Sequence, residues 1–181
     1  MAPFQRYPVD HAFSPRAALL YKLNPHVSIY ASYAKSFGMN NSSYLSDGQY
    51  VPPEVGTQYE FGAKSTWFDG RLNATATAFQ LTKSNVLGPD PTDPSGLRQI
   101  AIGAVRSRGL ELEASGRITN HLNAIVSYTW NPVTIIEDTN GNLGHTVAAT
   151  PKTASSVWMT YEASPEADTG WHTGFGLYTE G

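Results

Sequence analysis

Apolar and polar residues alternate one by one along much of this chain. In Leu110–Ser115, leucine or alanine alternates with glutamate or serine without interruption, and the same alternation recurs in residues 55–67 and 122–130. A period of two places alternate side chains on opposite faces of a β-strand, whereas an amphipathic helix needs a period of about 3.6 residues. Because helical periodicity is nearly absent, the pattern predicts an all-β fold.

Turn residues divide the chain into eight predicted strands. These strands cover residues 14–23, 27–37, 55–68, 71–86, 99–118, 122–135, 150–162 and 170–180. Short connections such as Asp69-Gly70 alternate along the chain with long ones. The long connections, at 38–54, 87–98 and 136–149, are rich in Gly, Pro, Asn and Asp. In an antiparallel up-and-down meander, alternate connections lie at the same end of the sheet. The order therefore predicts short turns at one rim and long loops at the other, as in outer-membrane β-barrels.

The apolar strand faces end in aromatic residues. One face of residues 55–67 carries apolar side chains up to Trp67, and one face of residues 122–130 ends with Tyr128 and Trp130. Because amphipathic aromatic rings are stable between lipid and water, these three residues are predicted to lie at the membrane interface. Most predicted strands also reach the roughly 9–11 residues that a tilted strand needs to cross a bilayer.

The opposite strand faces carry charged residues. Five of them are predicted to face the interior of a barrel: Glu60, Lys64, Glu111, Glu113 and Arg117. Glu111 and Glu113 are two residues apart on one face, about 7 Å, which would also suit the carboxylate pair of a glycosidase. A wet barrel wall produces the same spacing, and its glutamates are then expected to pair with Lys64, Arg117 or residues of a plug. We favour the wall, and we predict no catalytic residue and no enzyme.

Composition narrows the possible partners. The chain has 181 residues, enough for one domain, no cysteine, and a formal net charge of -3 with only 12 scattered Lys and Arg residues. Nucleic-acid binding needs clustered basic residues, so no nucleic-acid partner is predicted. The 5 His residues have no metal-ligand spacing, which predicts neither a metal site nor a cofactor. No apolar run reaches the roughly 18 residues of a membrane helix, so a membrane location would require a β-barrel.

Four segments together resemble the C-terminal part of the barrel of TonB-dependent outer-membrane receptors, in particular the ferric-siderophore, ferrichrome-type class. In chain order they are FSPRAALLYKLNPHVSIYASYAKSF (13–37), PPEVGTQYEFGAKSTWFDGRLNATATAFQLTKSNV (52–86), SRGLELEASGRITNHLNAIVSYTW (107–130) and TPKTASSVWMTYE (150–162). A single motif such as RGLELE would be weak evidence, but the ordered set covers nearly the whole chain.

The resemblance implies a barrel of about 22 strands that is closed by an N-terminal plug. Such a receptor imports a ferric chelate with energy from the inner-membrane TonB complex. Residues 1–181 are then expected to be a partial barrel domain, since the plug, the coupling box, a signal peptide and the terminal strands have no counterpart in the sequence. The implied location is the outer membrane of a Gram-negative bacterium, and the implied partners are a ferric siderophore, the TonB complex through the plug, and outer-membrane lipid.

Ligand recognition is expected in the long loops, because loops on a rigid scaffold often carry binding residues. The candidate ligand-binding residues are Tyr44, Gln49 and Tyr50 in loop 38–54, where aromatic rings suit the flat faces of chelates. Two other functions stay open: a small complete outer-membrane barrel with a structural or adhesion role, and a soluble β-sandwich binding module. A ladder between strands 14–23 and 170–180 would indicate the small barrel, whereas a partial barrel is expected to form an open, curved sheet.

Overall fold

The computed structural model describes residues 11–39, 52–89, 95, 99–138, 141–164 and 170–181. These residues form nine β-strands and no helix. The strands are β1 (Arg16–Lys22), β2 (Val27–Gly38), β3 (Glu54–Trp67), β4 (Leu72–Pro89), β5 (Gln99–Arg117), β6 (Leu122–Trp130), β7 (Val133–Glu137), β8 (Thr153–Glu162) and β9 (His172–Glu180). None of the described segments contains a helix that is long and apolar enough to cross a membrane.

All nine strands belong to one antiparallel sheet. Its order is β1-β2-β3-β4-β5-β6-β8-β9, so the strand order follows the chain order, and β7 pairs with β5 beside β6. This arrangement confirms the predicted all-β, up-and-down meander.

β6 and β7 are two parts of the one strand that was predicted over residues 122–135. Both keep the same register against β5. The ladder breaks between them at Asn131 and Pro132. Proline has no N–H group for a ladder hydrogen bond, which explains the break.

The short turns lie at one end of the sheet and the long connections at the other. Residues 23–26 join β1 to β2, residues 68–71 join β3 to β4, and residues 118–121 join β5 to β6. Because each of these strand pairs is antiparallel, the three turns share one end, here called the short-turn end. The opposite end, here called the long-loop end, carries the connections from β2 to β3, from β4 to β5 and from β7 to β8. The predicted layout with two different rims holds for these six connections. Residues 163–171, which join β8 to β9, also lie at the short-turn end but are as many as those that join β4 to β5.

Two of the short turns are closed in the same way. The Asn24 Oδ1 accepts hydrogen bonds from the N–H groups of His26 and of the next residue, at 2.8 and 2.9 Å. The Thr119 Oγ1 accepts hydrogen bonds from the corresponding N–H groups of His121 and of the next residue, at 3.2 and 3.1 Å. Side-chain oxygens that accept from the backbone in this way are typical of tight turns.

The sheet is a single layer. Among the described residues only one hydrophobic side chain is buried, that of Ala104 with 2% of its surface exposed. A soluble β-sandwich would instead bury the inner faces of two packed sheets. The structure therefore does not favour the sandwich alternative.

The two end strands leave the sheet open. β1 is paired only with β2 and β9 only with β8, and no contact joins β1 to β9. The expected open sheet is confirmed for the described strands. The ladder between β1 and β9 that a small closed barrel would need is not formed, so both end strands have one unpaired edge.

Candidate functional site

Neighbouring strands align so that polar residues lie opposite polar residues. Residues directly opposite each other in a β-ladder point to the same face of the sheet. One row of such residues crosses eight strands and is polar throughout: Lys22, Ser28, Lys64, Thr75, Glu113, Ser127, Ser156 and Tyr178. The face to which this row points is here called the polar face.

The adjacent row is apolar apart from one serine. It contains Val27, Ser65, Ala74, Ala114, Val126, Val157 and Leu177. Since adjacent residues of a strand point to opposite faces, this row belongs to the other face, here called the apolar face. The sheet thus separates polar from apolar side chains over most of its width, as a barrel wall between lipid and water does.

The five charged residues that the sequence analysis selected share the polar face. The register places Glu60 and Lys64 there on β3, and Glu111, Glu113 and Arg117 there on β5. That this face lines a lumen stays a prediction, because the described strands do not enclose one.

The three predicted interface aromatics lie on the apolar face, near its two ends. Trp67 is the last residue of β3, at the short-turn end, whereas Tyr128 and Trp130 lie at the long-loop end of β6. On β3, the eight residue steps from Tyr59 to Trp67 span about 27 Å along the strand. A strand tilt of about 40° reduces this span to about 20 Å, close to the apolar band of roughly 25 Å in outer-membrane barrels.

Histidine rings extend the aromatic cluster at the short-turn end. His26 stacks on Trp67 with ring centres 5.2 Å apart and planes inclined by 10°. His121 stacks on Tyr161 with ring centres 5.8 Å apart and planes inclined by 24°. In both cases the ring Nδ1 lies within hydrogen-bond distance of a carbonyl oxygen of the same neighbouring strand, at 3.1 and 2.9 Å. These stacks could not be predicted from the sequence, because each joins residues that are distant along the chain.

The apolar face becomes polar toward the long-loop end. A row that is polar throughout contains Lys35, Thr57, Thr82, Arg106 and Thr134. It lies two residues beyond Tyr33 and Tyr59, whose ring centres are 5.2 Å apart. A change from apolar to polar next to paired tyrosine rings is the pattern of a strand that leaves lipid.

Glu60 and Lys64 are held by other side chains of the polar face. Ser32 Oγ donates a hydrogen bond to Glu60 Oε2 at 3.1 Å, and Gln58 Nε2 donates one to Glu60 Oε1 at 2.5 Å. The Lys64 Nζ lies 5.2 Å from the centre of the Tyr30 ring, a cation–π contact. These two charges are thus partnered within the wall.

Glu111 and Glu113 are not partnered in this way. Both are exposed, and neither forms an ion pair or a side-chain hydrogen bond with any described residue. The expected pairing with Lys64 or Arg117 is not formed. Lys64 lies two strands away with Thr75 between, and Arg117 is four residues farther along β5 than Glu113, about 13 Å. Within the described strands, these two carboxylates of the polar face therefore have no cationic partner.

Aromatic rings of the polar face lie against glycines of the neighbouring strand. A Cβ atom at Gly62 would come within 2.5 Å of the Tyr30 ring, and one at Gly174 within 2.8 Å of the Trp158 ring. The Tyr30 hydroxyl also lies 2.7 Å from Thr77 Oγ1, one strand farther on. These rings therefore lie along the wall and leave the space beside it open.

Polar contacts join β3 and β4 at the long-loop end. Lys83 Nζ and Glu54 Oε2 form an ion pair at 2.8 Å, and Asn85 Nδ2 donates a hydrogen bond to the Pro53 carbonyl at 2.8 Å. The connection from β2 to β3, which ends beside these contacts, includes the candidate ligand-binding residues Tyr44, Gln49 and Tyr50. All three lie outside the described residues, so their role stays a prediction.

The chemistry that this site offers is ion pairing and hydrogen bonding. In the described parts of the chain, no group of three or more His, Asp or Glu side chains could hold a metal ion. The polar face instead presents carboxylates, ammonium groups and many hydroxyl groups in regular rows.

Comparison with known proteins agrees with this geometry. The family model described as "TonB dependent receptor-like, beta-barrel" matches residues 4–180. The metal-pseudopaline receptor CntO of Pseudomonas aeruginosa is 38% identical over 153 residues, which cover 84% of this chain and 21% of the receptor. The ferric-pyoverdine M114 receptor PbuA of Pseudomonas sp. strain M114 is 32% identical over 157 residues, 86% of this chain and 19% of the receptor.

A solved structure shares the same arrangement of strands. Pseudomonas aeruginosa FpvA, bound to a heterologous pyoverdine and iron, superposes with a TM-score of 0.72 at 25% identity, covering 93% of this chain and 22% of FpvA. This chain spans about one fifth of the length of the curated relatives it matches.

Proposed function

Because this chain belongs to the TonB-dependent receptor-like β-barrel family, we propose that it forms a section of barrel wall in an outer-membrane receptor that takes up a ferric chelate. Family membership and relatives from Gram-negative bacteria imply the outer-membrane location. The similar proteins are receptors for metal-pseudopaline and ferric pyoverdine by name, which supports a ferric siderophore as the substrate class here.

The two-faced single-layer sheet carries the proposal. A sheet with apolar side chains in rows on one face and hardly any buried core needs lipid on that face to be stable. Its other face then meets water inside a barrel, and Glu60, Lys64, Glu111, Glu113 and Arg117 line the lumen.

Glu111 and Glu113 support a partner inside that lumen. Two adjacent carboxylates that have no cationic partner in the described part of the chain attract positively charged groups, and the ion pairs gain strength where water is partly excluded. We propose that basic side chains of a plug supply these charges. The TonB complex would then act through the plug and not through the wall.

Tyr44, Gln49 and Tyr50 are the proposed ligand contacts. The tyrosine rings would stack on the flat parts of a chelate, and the glutamine amide would donate or accept hydrogen bonds at its edge. The siderophore would therefore bind at the long-loop end, on the extracellular side.

Iron uptake by whole cells tests this function. A strain without the gene is compared with the complemented strain, using radioactive iron bound to pyoverdine, ferrioxamine B or ferrichrome in separate assays. We expect uptake from at least one chelate to require both the gene and TonB. The double substitution Tyr44→Ala/Tyr50→Ala should lower that uptake, whereas Ser46→Ala in the same loop should not. Recovery of the protein from the soluble fraction, with no change in uptake from any chelate, would contradict the proposal.

A further inference from the structure

Three cationic side chains lie on the apolar face, all of them at its long-loop end. The ladder register places Lys35 of β2 and Arg106 of β5 in one row. It places Arg108 two residues nearer the short-turn end, in the row of Tyr33 and Tyr59. Between these rows and the short-turn end, no other charged residue of the described ladders points to this face. Positive charge is therefore confined to one margin of the apolar face.

The described strands do not neutralise these cations. Neither arginine forms an ion pair with a described residue, and Lys35 forms none either. Glu137 ends β7 three residues beyond Thr134, the ladder partner of Arg106, and it pairs with neither arginine. The Arg106 Nε is buried without a hydrogen-bond partner. Because a buried donor without an acceptor is unfavourable, an anion that reaches this place from outside the strands would stabilise it.

The row of Lys35 and Arg106 lies at the depth of lipid headgroups. On β3 this row passes through Thr57. The ten residue steps from Thr57 to Trp67 span about 33 Å along the strand. A strand tilt of about 40° reduces this span to about 25 Å, the height of the apolar band in outer-membrane barrels. The cations therefore lie where the hydrocarbon ends and the phosphate groups of the lipids begin.

Hydroxyl groups separate the cations within this row. Thr57 and Thr82 lie between Lys35 and Arg106. Three strand spacings place the two cationic residues about 14 Å apart, whereas Arg108 is two residues from Arg106 on the same face, about 7 Å. The row thus offers an arginine pair at one end, an ammonium group at the other end, and hydroxyl groups between them.

We propose that this row binds the headgroup of one lipid that carries two phosphates on a sugar backbone, in the leaflet at the long-loop end. One phosphate lies between Arg106 and Arg108, and the other contacts the Lys35 ammonium. The sugar lies on the two threonine hydroxyls, and the acyl chains follow the apolar rows into the bilayer. Guanidinium forks suit phosphate oxygens, and basic residues at a membrane surface attract anionic headgroups. The inference rests on the proposed function, because it requires the apolar face to meet outer-membrane lipid.

The test uses the whole receptor, extracted from outer membranes in a mild detergent. Native mass spectrometry records the lipid that stays bound, and titrations with bisphosphorylated and monophosphorylated lipid A in the same detergent give two affinities. We expect wild type to bind the bisphosphorylated form about fivefold more tightly, since only this form reaches Lys35 as well as the arginines. Lys35→Gln should remove that preference. Arg106→Gln/Arg108→Gln should weaken the binding of both forms at least about tenfold.

A matched control is available at the same end of the sheet. Arg16→Gln removes an exposed cation of β1 that points to the polar face, and it should leave both lipid affinities unchanged. Equal affinity of wild type for the two forms of lipid A would overturn the proposal, and so would unchanged binding by the double arginine variant. Competition by inorganic phosphate at a concentration equal to that of the lipid would show a free-anion site and would overturn it too.

Chelate uptake, measured in the same variants, separates this inference from the proposed function. Normal uptake together with unchanged lipid binding would refute only the lipid site. Uptake that does not depend on the gene in any strain would refute the proposed function, whatever the lipid affinities are.

Discussion

Trp158 lies on the polar face, opposite Ile125 of β6 on one side and Gly176 of β9 on the other. Its indole ring covers Gly174 and Gly176 of β9, where a side chain would collide with it. An aromatic ring that covers a glycine on a neighbouring strand shields backbone that would otherwise be bare, and this stabilises the sheet. The two glycines also allow the Trp158 ring to lie flat against the sheet.

Substitution of the glycine tests this contact. A Cβ at residue 176 would collide with the Trp158 ring, so we expect Gly176→Ala to lower the free energy of unfolding by about 1–3 kcal/mol. Urea unfolding of the receptor in lipid vesicles, followed by circular dichroism, measures the change. In a Trp158→Ala background the same substitution should cost clearly less, because the ring is gone. An equal cost in both backgrounds would rule out the contact.

Alternation in the sequence predicts faces but not cross-strand neighbours. Trp158 shares its face with Ser156 and Thr160, so the alternation of this strand does not explain the position of the ring. The glycines that accommodate the ring lie in another strand, and only the β8–β9 register brings them opposite. The five charged residues could be assigned to one face from their spacing, whereas the partners of Glu60 and Lys64 could not.

Strands were predictable where alternation is regular and turn residues bracket it. β4 shows the limit, because it extends to Pro89, three residues beyond its predicted end at 86. The extension passes a register shift next to Asn85, which has a φ of 59°. A β-bulge of this kind is defined by its pairing with a second strand, so one strand's sequence does not reveal it.

Substitutions on adjacent residues of β4 test the assignment of the two faces. Ala76 lies on the apolar face and Thr75 on the polar face. We expect Ala76→Arg to destabilise the membrane-inserted protein by about 2–4 kcal/mol, the cost of arginine in the middle of a bilayer. Thr75→Arg should have little effect, since it points to water and lies opposite Glu113. Equal effects of both substitutions in vesicle unfolding would contradict a lipid-facing apolar surface.

Taken over the described residues, the sheet has two unpaired edges and one buried hydrophobic side chain, that of Ala104. A strand edge without a partner exposes backbone N–H and C=O groups that bind other strands. The resemblance of four segments made the open sheet predictable. Sequence alone could not show that Glu111 and Glu113 lack partners among the described residues, because that depends on where the other charges of the wall lie.

Residues 1–181 produced without other parts of a receptor should therefore associate. We expect oligomers in detergent, formed through β1 and β9, because each of these strands has one edge that no described strand covers. Analytical ultracentrifugation measures the size, and hydrogen exchange shows whether amides of β1 and β9 become protected. Stable monomers with fast-exchanging amides in both strands would contradict this expectation.

Because the strand order follows the chain order, neighbouring strands of this sheet can pair in the order in which they occur along the chain. Every ladder on the main path joins strands that are close along the chain, so each pairing step pays only the small entropy loss of closing a short or moderate loop. Assembly can therefore advance one hairpin at a time, with each finished hairpin serving as the template for the next. A defect in one strand would stop this growth at that strand and leave the preceding hairpins intact.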